Sequence, residues 1–221
     1  MIRRTPRLAA LCALLLALGG CAIEPRTVPD ERDEAWEALR AELDRLEHWR
    51  AEGRLVVREG RDGTPANFTW IERADGSFEL RLAGPWGQGA ARLSGGSGRA
   101  VLVTADDLRY TARDAQRLLA RVYGWDIPVA ALRQWLIGLP GPEAEYTLDR
   151  FGRLETLQWG DWQIAYGRYR LADEGLDMPA VLTASHVSGG NELRVAVQSW
   201  QLGEPAPSPS RSPVPLMGGG G

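Results

Sequence analysis

Few residues in this 221-residue chain are typed and spaced for covalent or acid–base chemistry. It has two histidines, His48 and His186, and two cysteines, Cys12 and Cys21. Nucleophilic catalysis needs a serine or cysteine beside a base that a third group orients. Ser185-His186 offers only neighbours in an alternating, strand-like segment, and it reads as a surface pair. Asp106-Asp107 falls between two strand-like runs, where an aspartate carboxylate makes turns by accepting from a backbone N–H two residues on. Neither histidine lies in a metal-ligand cluster, a nucleophile elbow or a paired-carboxylate motif, and no phosphate-binding loop occurs. An enzyme is therefore not expected, and no cofactor or metal is called for.

A different chemistry is legible at the start. Residues 1–21, MIRRTPRLAALCALLLALGGC, join a positive leader (Arg3, Arg4, Arg7) to an apolar run from Leu8 to Leu18. That run is too short for a helix to cross ~30 Å of hydrocarbon, so it reads as an export signal. Its Leu-Gly-Gly-Cys ending resembles a bacterial lipobox, which implies transfer of a diacylglycerol to the Cys21 thiol, cleavage of residues 1–20 and acylation of the new amine by a fatty chain such as palmitate. Alanine follows at position 22. An aspartate there would resemble an inner-membrane retention signal, and its absence implies sorting to the outer membrane. With Cys12 removed and Cys21 lipidated, no disulfide can form, so the core alone must hold the fold. Losing the three leader arginines takes the formal charge from -3 to -6, with no basic block, which argues against nucleic acid.

One further stretch is unusual. LAGPWGQG, residues 82–89, sets Trp86 between Gly84-Pro85 and Gly87, all turn formers. A large apolar ring is thus placed on a loop tip. The residues alone leave two readings, a ring folded back over the core or one facing water.

The elements that carry these residues follow from periodicity. Trp36, Leu39, Leu43 and Leu46 share one face of a helix over 33–47. Beyond it the period becomes two, with strands expected at 51–58, NFTWIE, SFELRLA, GQGAARLS, AVLVTA and DLRYTA. After residue 143 come AEYTLD, LETLQW, WQIAYGRY, PAVLTASH and ELRVAVQSW, for about eleven strands, mostly hairpin-connected and antiparallel. Between the groups lie two helices. Asp114 is the expected N-cap of the first, with Leu118, Leu119 and Val122 as its stripe up to Gly124; Pro128 starts the second, with Leu132, Trp135 and Leu136 on one face, ended by Gly138. A helical pair inserted in a strongly curled sheet covers the concave face. The interior is then either packed solid or hollow and apolar, and pattern leaves both open. Residues 21–32 read as a lipidated tether, 33–202 as one domain, and 203–221 as a Pro/Ser/Gly-rich disordered tail.

The chain resembles the LolB family, outer-membrane lipoproteins that accept other lipoproteins and insert them into the membrane. The densest similarity is GWDIPVAALRQWLIGLPG, 124–141, with Gly124, Trp125, Pro128, Leu132, Trp135, Leu136, Gly138 and Pro140 in the family's spacing. Flanking it are GRLVVRE (53–59), FTW (68–70), the GPWG turn, RYTARDA (109–115), DWQIAYGRY (161–169) and MPAVLT (178–183). The tail departs from the pattern, and tryptophan stands at the turn tip where the family more often has leucine. The resemblance implies a half-open antiparallel β barrel with an α lid, a monomer lipid-anchored on the periplasmic face of the cell outer membrane. It implies a chaperone-like role with three partners: the periplasmic carrier LolA, triacylated lipoprotein cargo and outer-membrane lipids. It makes Pro85, Trp86 and Gly87 a membrane-targeting loop. An acyl-chain cavity, assigned by strand and helix face, would be lined by Leu55, Phe68, Trp70, Phe78, Leu80, Leu82, Leu118, Leu132 and Leu136. The alternative of the same architecture is a lipid-binding or envelope-sensing lipoprotein.

Overall fold

The computed structural model describes residues 30–60 and 62–203. The export signal, Cys21, the tether through residue 29 and the tail from 204 onward lie outside the described residues. All the helices and strands belong to the compact unit that begins at Glu31.

Helix α1, Glu31–Leu43, opens on Glu31, Asp33 and Glu34, whose charges suit a helix N-terminus, and it buries Trp36 and Leu43. It ends earlier than the apolar spacing suggests. A turn at Asp44 and Arg45 then brings Leu46 half-buried against the core.

Eleven strands follow: β1 (Trp49–Glu59), β2 (Asp62–Glu72), β3 (Phe78–Ala83), β4 (Ala91–Gly96), β5 (Arg99–Val103), β6 (Arg109–Ala112), β7 (Glu145–Leu148), β8 (Leu154–Trp159), β9 (Trp162–Leu171), β10 (Asp177–His186) and β11 (Asn191–Leu202). All pair antiparallel in one sheet of order β6-β5-β4-β3-β2-β1-β11-β10-β9-β8-β7. The order has a simple cause. Two meanders are joined at the centre, where β11 returns to pair with β1 along the full length of both. Helices α2 (Ala115–Tyr123) and α3 (Val129–Ile137) leave edge strand β6 and lead to edge strand β7. The connection must therefore cross the concave side from one edge to the other.

Strand alternation puts Leu55, Phe68, Leu80, Leu93 and Leu102 of one half, and Ile164, Leu182, Leu193 and Val195 of the other, into one buried cluster. A flat sheet of eleven strands could not gather them; curling does. Gly53 enables part of that bend. It sits at a register shift in the β1–β11 pairing, and a Cβ there would stand 2.1 Å from the carbonyl oxygen of Ala196. An aromatic row fills the end of the interior near the β2–β3 turn. Trp49 stacks on Trp70 at 6.0 Å, Trp70 on Phe78 at 5.3 Å, and Trp200 meets Trp49 at 5.7 Å. The Trp200 indole N–H donates to the carbonyl of Pro179 at 2.9 Å, so its burial leaves no donor unpaired.

Candidate functional site: an apolar hollow under a helical lid

The lid is built from two short helices with well-defined ends. Asp114 accepts from the backbone N–H of Arg117 at 2.8 Å, capping α2, and Gly124 ends it in the left-handed region at φ 76°. Pro128 precedes α3 without a side-chain cap, and Gly138 closes it at φ 84°. The apolar stripes turn toward the sheet. Leu118 and Leu119 of α2, and Val129, Leu132, Trp135 and Leu136 of α3, are buried.

Two polar fastenings hold α3 down. The Tyr166 hydroxyl on β9 donates to the carbonyl of Trp135 at 3.0 Å; burial pushes its pKa well above the ordinary tyrosine value, so it stays a neutral donor. At the other side Arg133 reaches the end of β2. Its Nε donates to Glu72 Oε2 at 3.0 Å, its Nη2 donates to Glu72 Oε1 and to the Gly76 carbonyl at 3.1 Å, and its guanidinium lies 5.2 Å from the centre of the Phe78 ring. Trp70 adds its indole N–H to Glu72 at 3.3 Å. Glu72 is the buried charged residue among those described. Burial raises its pKa above the ordinary 4.5, opposed by the hydrogen bonds and charge of Arg133.

Between lid and sheet lies a hollow of about 30 Å³, roughly the share of one water molecule in the liquid. Every residue around it is apolar. Leu55, Phe68, Trp70, Leu80, Leu82, Leu132 and Leu136 stand there, as strand and helix faces suggest. Phe78 and Leu118 do not: the first is stacked behind Trp70, and the second is wholly buried on α2. The sequence reading missed Val57, Leu193 and Val195, although their alternation with Leu55 and with each other carried the signal. It also missed Leu119, Val129, Trp125 and Ile127. The last two lie in the non-helical link between α2 and α3, where no period exists to read. A lining without a titratable group is chemically matched to apolar chains and can do no acid–base work.

Trp86 stands apart from this interior. Its side chain is 91% exposed on the β3–β4 loop. The loop is nonetheless held: Gly84 N–H donates to Gln88 O at 2.8 Å, Gly87 N–H to Gly84 O at 2.8 Å, and Trp86 N–H to the Gln88 side chain at 3.0 Å. Gly87 takes φ 80°, which a side chain would resist. The ring is thus displayed on a fixed turn instead of covering the core. Leu108 of the β5–β6 turn and Val187 of the β10–β11 turn, 50% and 53% exposed, lie at the same end of the sheet and were not foreseen.

The chemically reactive types are scattered. The ring of His186 contacts the Ser188 hydroxyl at 2.8 Å and sits edge-on to Trp162, while His48 lies at the opposite end of the sheet, its carbonyl accepting from Gly203. Asp106 accepts from the Thr104 hydroxyl at 2.5 Å and Asp107 takes φ 59°, so this pair forms the turn. Among the described residues, no group of three histidine, cysteine or carboxylate side chains is placed to hold a metal.

Known proteins are similar to this chain in sequence or in fold. The model of the family described as "Outer membrane lipoprotein LolB" matches residues 47–200, from before β1 to within two residues of the end of β11. A LolB of Halorhodospira halophila is 34% identical over 202 residues, covering 90% of this chain and 96% of that one. A LolB of Pseudomonas putida is 39% identical over 172 residues, covering 76% and 81%. Among solved structures, a LolA superfamily protein from Nitrosomonas europaea superposes with a TM-score of 0.51 at 8% identity, covering 77% of this chain and 94% of that chain, a likeness of fold alone. A sequence match that spans the whole sheet and its lid leaves one assignment: this chain belongs to the LolB family of outer-membrane lipoproteins.

Proposed function

We propose that the protein accepts the acyl chains of lipoproteins from a LolA-type periplasmic carrier into the hollow beneath α2 and α3, and releases them into the outer membrane without nucleotide. The observation that carries this reading is the wholly apolar chamber, roofed by helices that join the sheet's two edges. Each methylene exposed to water costs about 0.8 kcal/mol. Cargo with several tens of methylenes would face a penalty of tens of kcal/mol in free solution. Its chains must therefore pass from one apolar shelter to the next, held more tightly here than by the carrier and less tightly than by a bilayer. The chamber's apolar walls pack on one another and leave little space, so entry of acyl chains calls for α2 and α3 to lift from the sheet.

In this reading residues 1–20 are removed, acylated Cys21 anchors a monomer on the periplasmic face of the outer membrane, and residues 33–202 do the work. The Pro85-Trp86-Gly87 turn then meets the bilayer. Tryptophan suits that place because its ring prefers the interface between hydrocarbon and water. No catalytic group is required.

Transfer of a lipoprotein from carrier to liposomes tests both halves. Trp86→Glu is expected to take up cargo as the wild type does and to deposit it at least tenfold more slowly. Leu132→Glu, which puts a charge into the chamber wall, is expected to fail at uptake. Unchanged deposition by the first variant removes the role of the loop, and unchanged uptake by the second removes the chamber. In cells, depletion should strand cargo on the carrier; a sensor of the same fold would alter signalling instead.

A further inference from the structure

The sequence contains no lysine, so all 26 of its Lys/Arg-type cations are arginines, in a chain whose formal charge is negative. They are unevenly spread. The strand register sets Thr69, Arg81, Arg92, Val103 and Arg109 side by side across β2 to β6. One level nearer the Trp86 loop come Arg54, Asn67 and Ala83. These positions alternate with buried Leu55, Leu80, Leu82 and Leu102, so Arg54, Arg81, Arg92 and Arg109 all leave the sheet on its convex side, and all are exposed. Arg81, Arg92 and Arg109 border an open hollow of about 580 Å³ at the base of the loop.

The acids on this face are fewer. Glu79 serves two arginines at once, Arg81 at 2.5 Å and Arg92 at 3.8 Å. Glu192 is engaged with Arg58 at 2.7 Å, Glu52, level with Thr69, is engaged with Arg50, and Asp107 borders the hollow without an ion pair. Arg54 and Arg109 have no ion-pair partner among the described residues, nor has Arg194 farther along the same face. The area therefore holds surplus positive charge directly behind a displayed tryptophan. Arg81 and Arg92 sit on the very strands that enter and leave the loop, and their long stems let the guanidinium groups lean toward its tip. Guanidinium offers a fork of donors that matches phosphate oxygens, and basic residues beside an apolar wedge are the pattern of a surface that settles on anionic lipid.

We propose that Arg54, Arg81, Arg92 and Arg109 bind the phosphate groups of anionic phospholipids in the receiving leaflet, so that the convex face around the Trp86 loop docks as one unit. The proposal rests on the reading that this loop meets the membrane. It assigns the orientation in which the protein approaches: with the upper convex face of β1–β6 turned to the bilayer and the lid on the other side of the sheet.

The test is vesicle binding by the chain from residue 21 onward carrying Cys21→Ala, so that no acyl anchor masks the surface. One vesicle set is phosphatidylcholine alone; the other has one quarter replaced by phosphatidylglycerol. Each unpaired arginine near an anionic surface should contribute about fivefold at low salt. Arg54→Gln with Arg109→Gln should therefore lose roughly 25-fold on the anionic vesicles and nothing on the neutral ones. Glu79→Gln, which frees Arg81 and Arg92, should bind the anionic vesicles severalfold more tightly, a gain that a damaged fold cannot imitate. Arg99→Gln with Arg150→Gln, an equal charge change at the opposite end of the sheet, should bind as the wild type does. Salt at about 0.5 M should erase the anionic preference.

The proposal fails if the Arg54/Arg109 variant keeps wild-type affinity for anionic vesicles, or if the Arg99/Arg150 variant loses as much. It also fails if the Arg54/Arg109 variant binds vesicles normally but takes cargo from the carrier slowly, which would give the face to a protein. Trp86→Ser separates the two readings. Weaker binding of that variant to both vesicle sets, with no effect of the arginine pair, keeps the loop and sinks the arginines. The reverse pattern keeps the arginines and sinks the loop.

Discussion

Trp86 and Glu72 each stand where their residue type is rarely found, and each has a cause. Trp49, Trp70, Trp135 and Trp200 are buried, whereas Trp86 is displayed on a turn fixed by its backbone bonds and by the left-handed Gly87. Glu72 is buried because Arg133, Trp70 and the end of β2 supply its partners. Its raised pKa means that the fold favours the protonated carboxyl. The stability contributed by Glu72 is therefore fullest below the ordinary 4.5 and declines as pH rises through the higher folded value. Arg133→Met would leave a buried carboxylate without its cation, at a cost of about 3 kcal/mol at pH 7. That deficit should shrink as pH falls and Glu72 takes up a proton. Urea denaturation of wild type and variant at pH 7 and pH 4 reads the difference, and a deficit independent of pH would show that Arg133 acts by packing on Phe78 alone.

Among the elements, β1 and the lid do opposite jobs. β1 is paired on both sides along its length and carries the bend at Gly53. A methyl group there meets the Ala196 carbonyl with no flexible atom to yield, so Gly53→Ala should cost ~3 kcal/mol. A lower urea midpoint with an unchanged slope would show it. The lid helices, nine residues each, are too short to persist alone in water and exist because their apolar faces rest on the sheet. Much of this was legible. The strand count, the Asp114 cap and both glycine ends can be read from local chemistry, since each depends on residues within a few positions of one another. Arg133 holding Glu72, 61 positions away, could not be read so. Neither could Trp125 and Ile127 facing the hollow, because a link without a period has no face until the whole chain positions it.

As a whole molecule, the protein sets a cover of two short helices over a continuously paired sheet. β1 and β11 lie at the centre of the sheet, while α2 and α3 are joined to it through its edge strands. Cargo loading should therefore be carried by the cover. Hydrogen exchange with and without bound lipoprotein is expected to show faster exchange over 115–137 and unchanged protection in β1 and β11. Unchanged exchange in both helices on loading would mean that chains bind elsewhere.

By itself, the sequence determined the strand succession, the inward-facing side chains, the positions of both lid helices and the placing of a tryptophan on a turn. These rest on spacing along the chain, and spacing needs no third dimension. Only the tertiary structure decided that the space under the lid closes to about 30 Å³, that Phe78 and Leu118 are packed outside it, and that arginines from four strands share one outer face. A cavity is the difference between enclosed volume and side-chain volume, and a patch is an accident of register. Neither quantity exists until distant strands have been laid side by side.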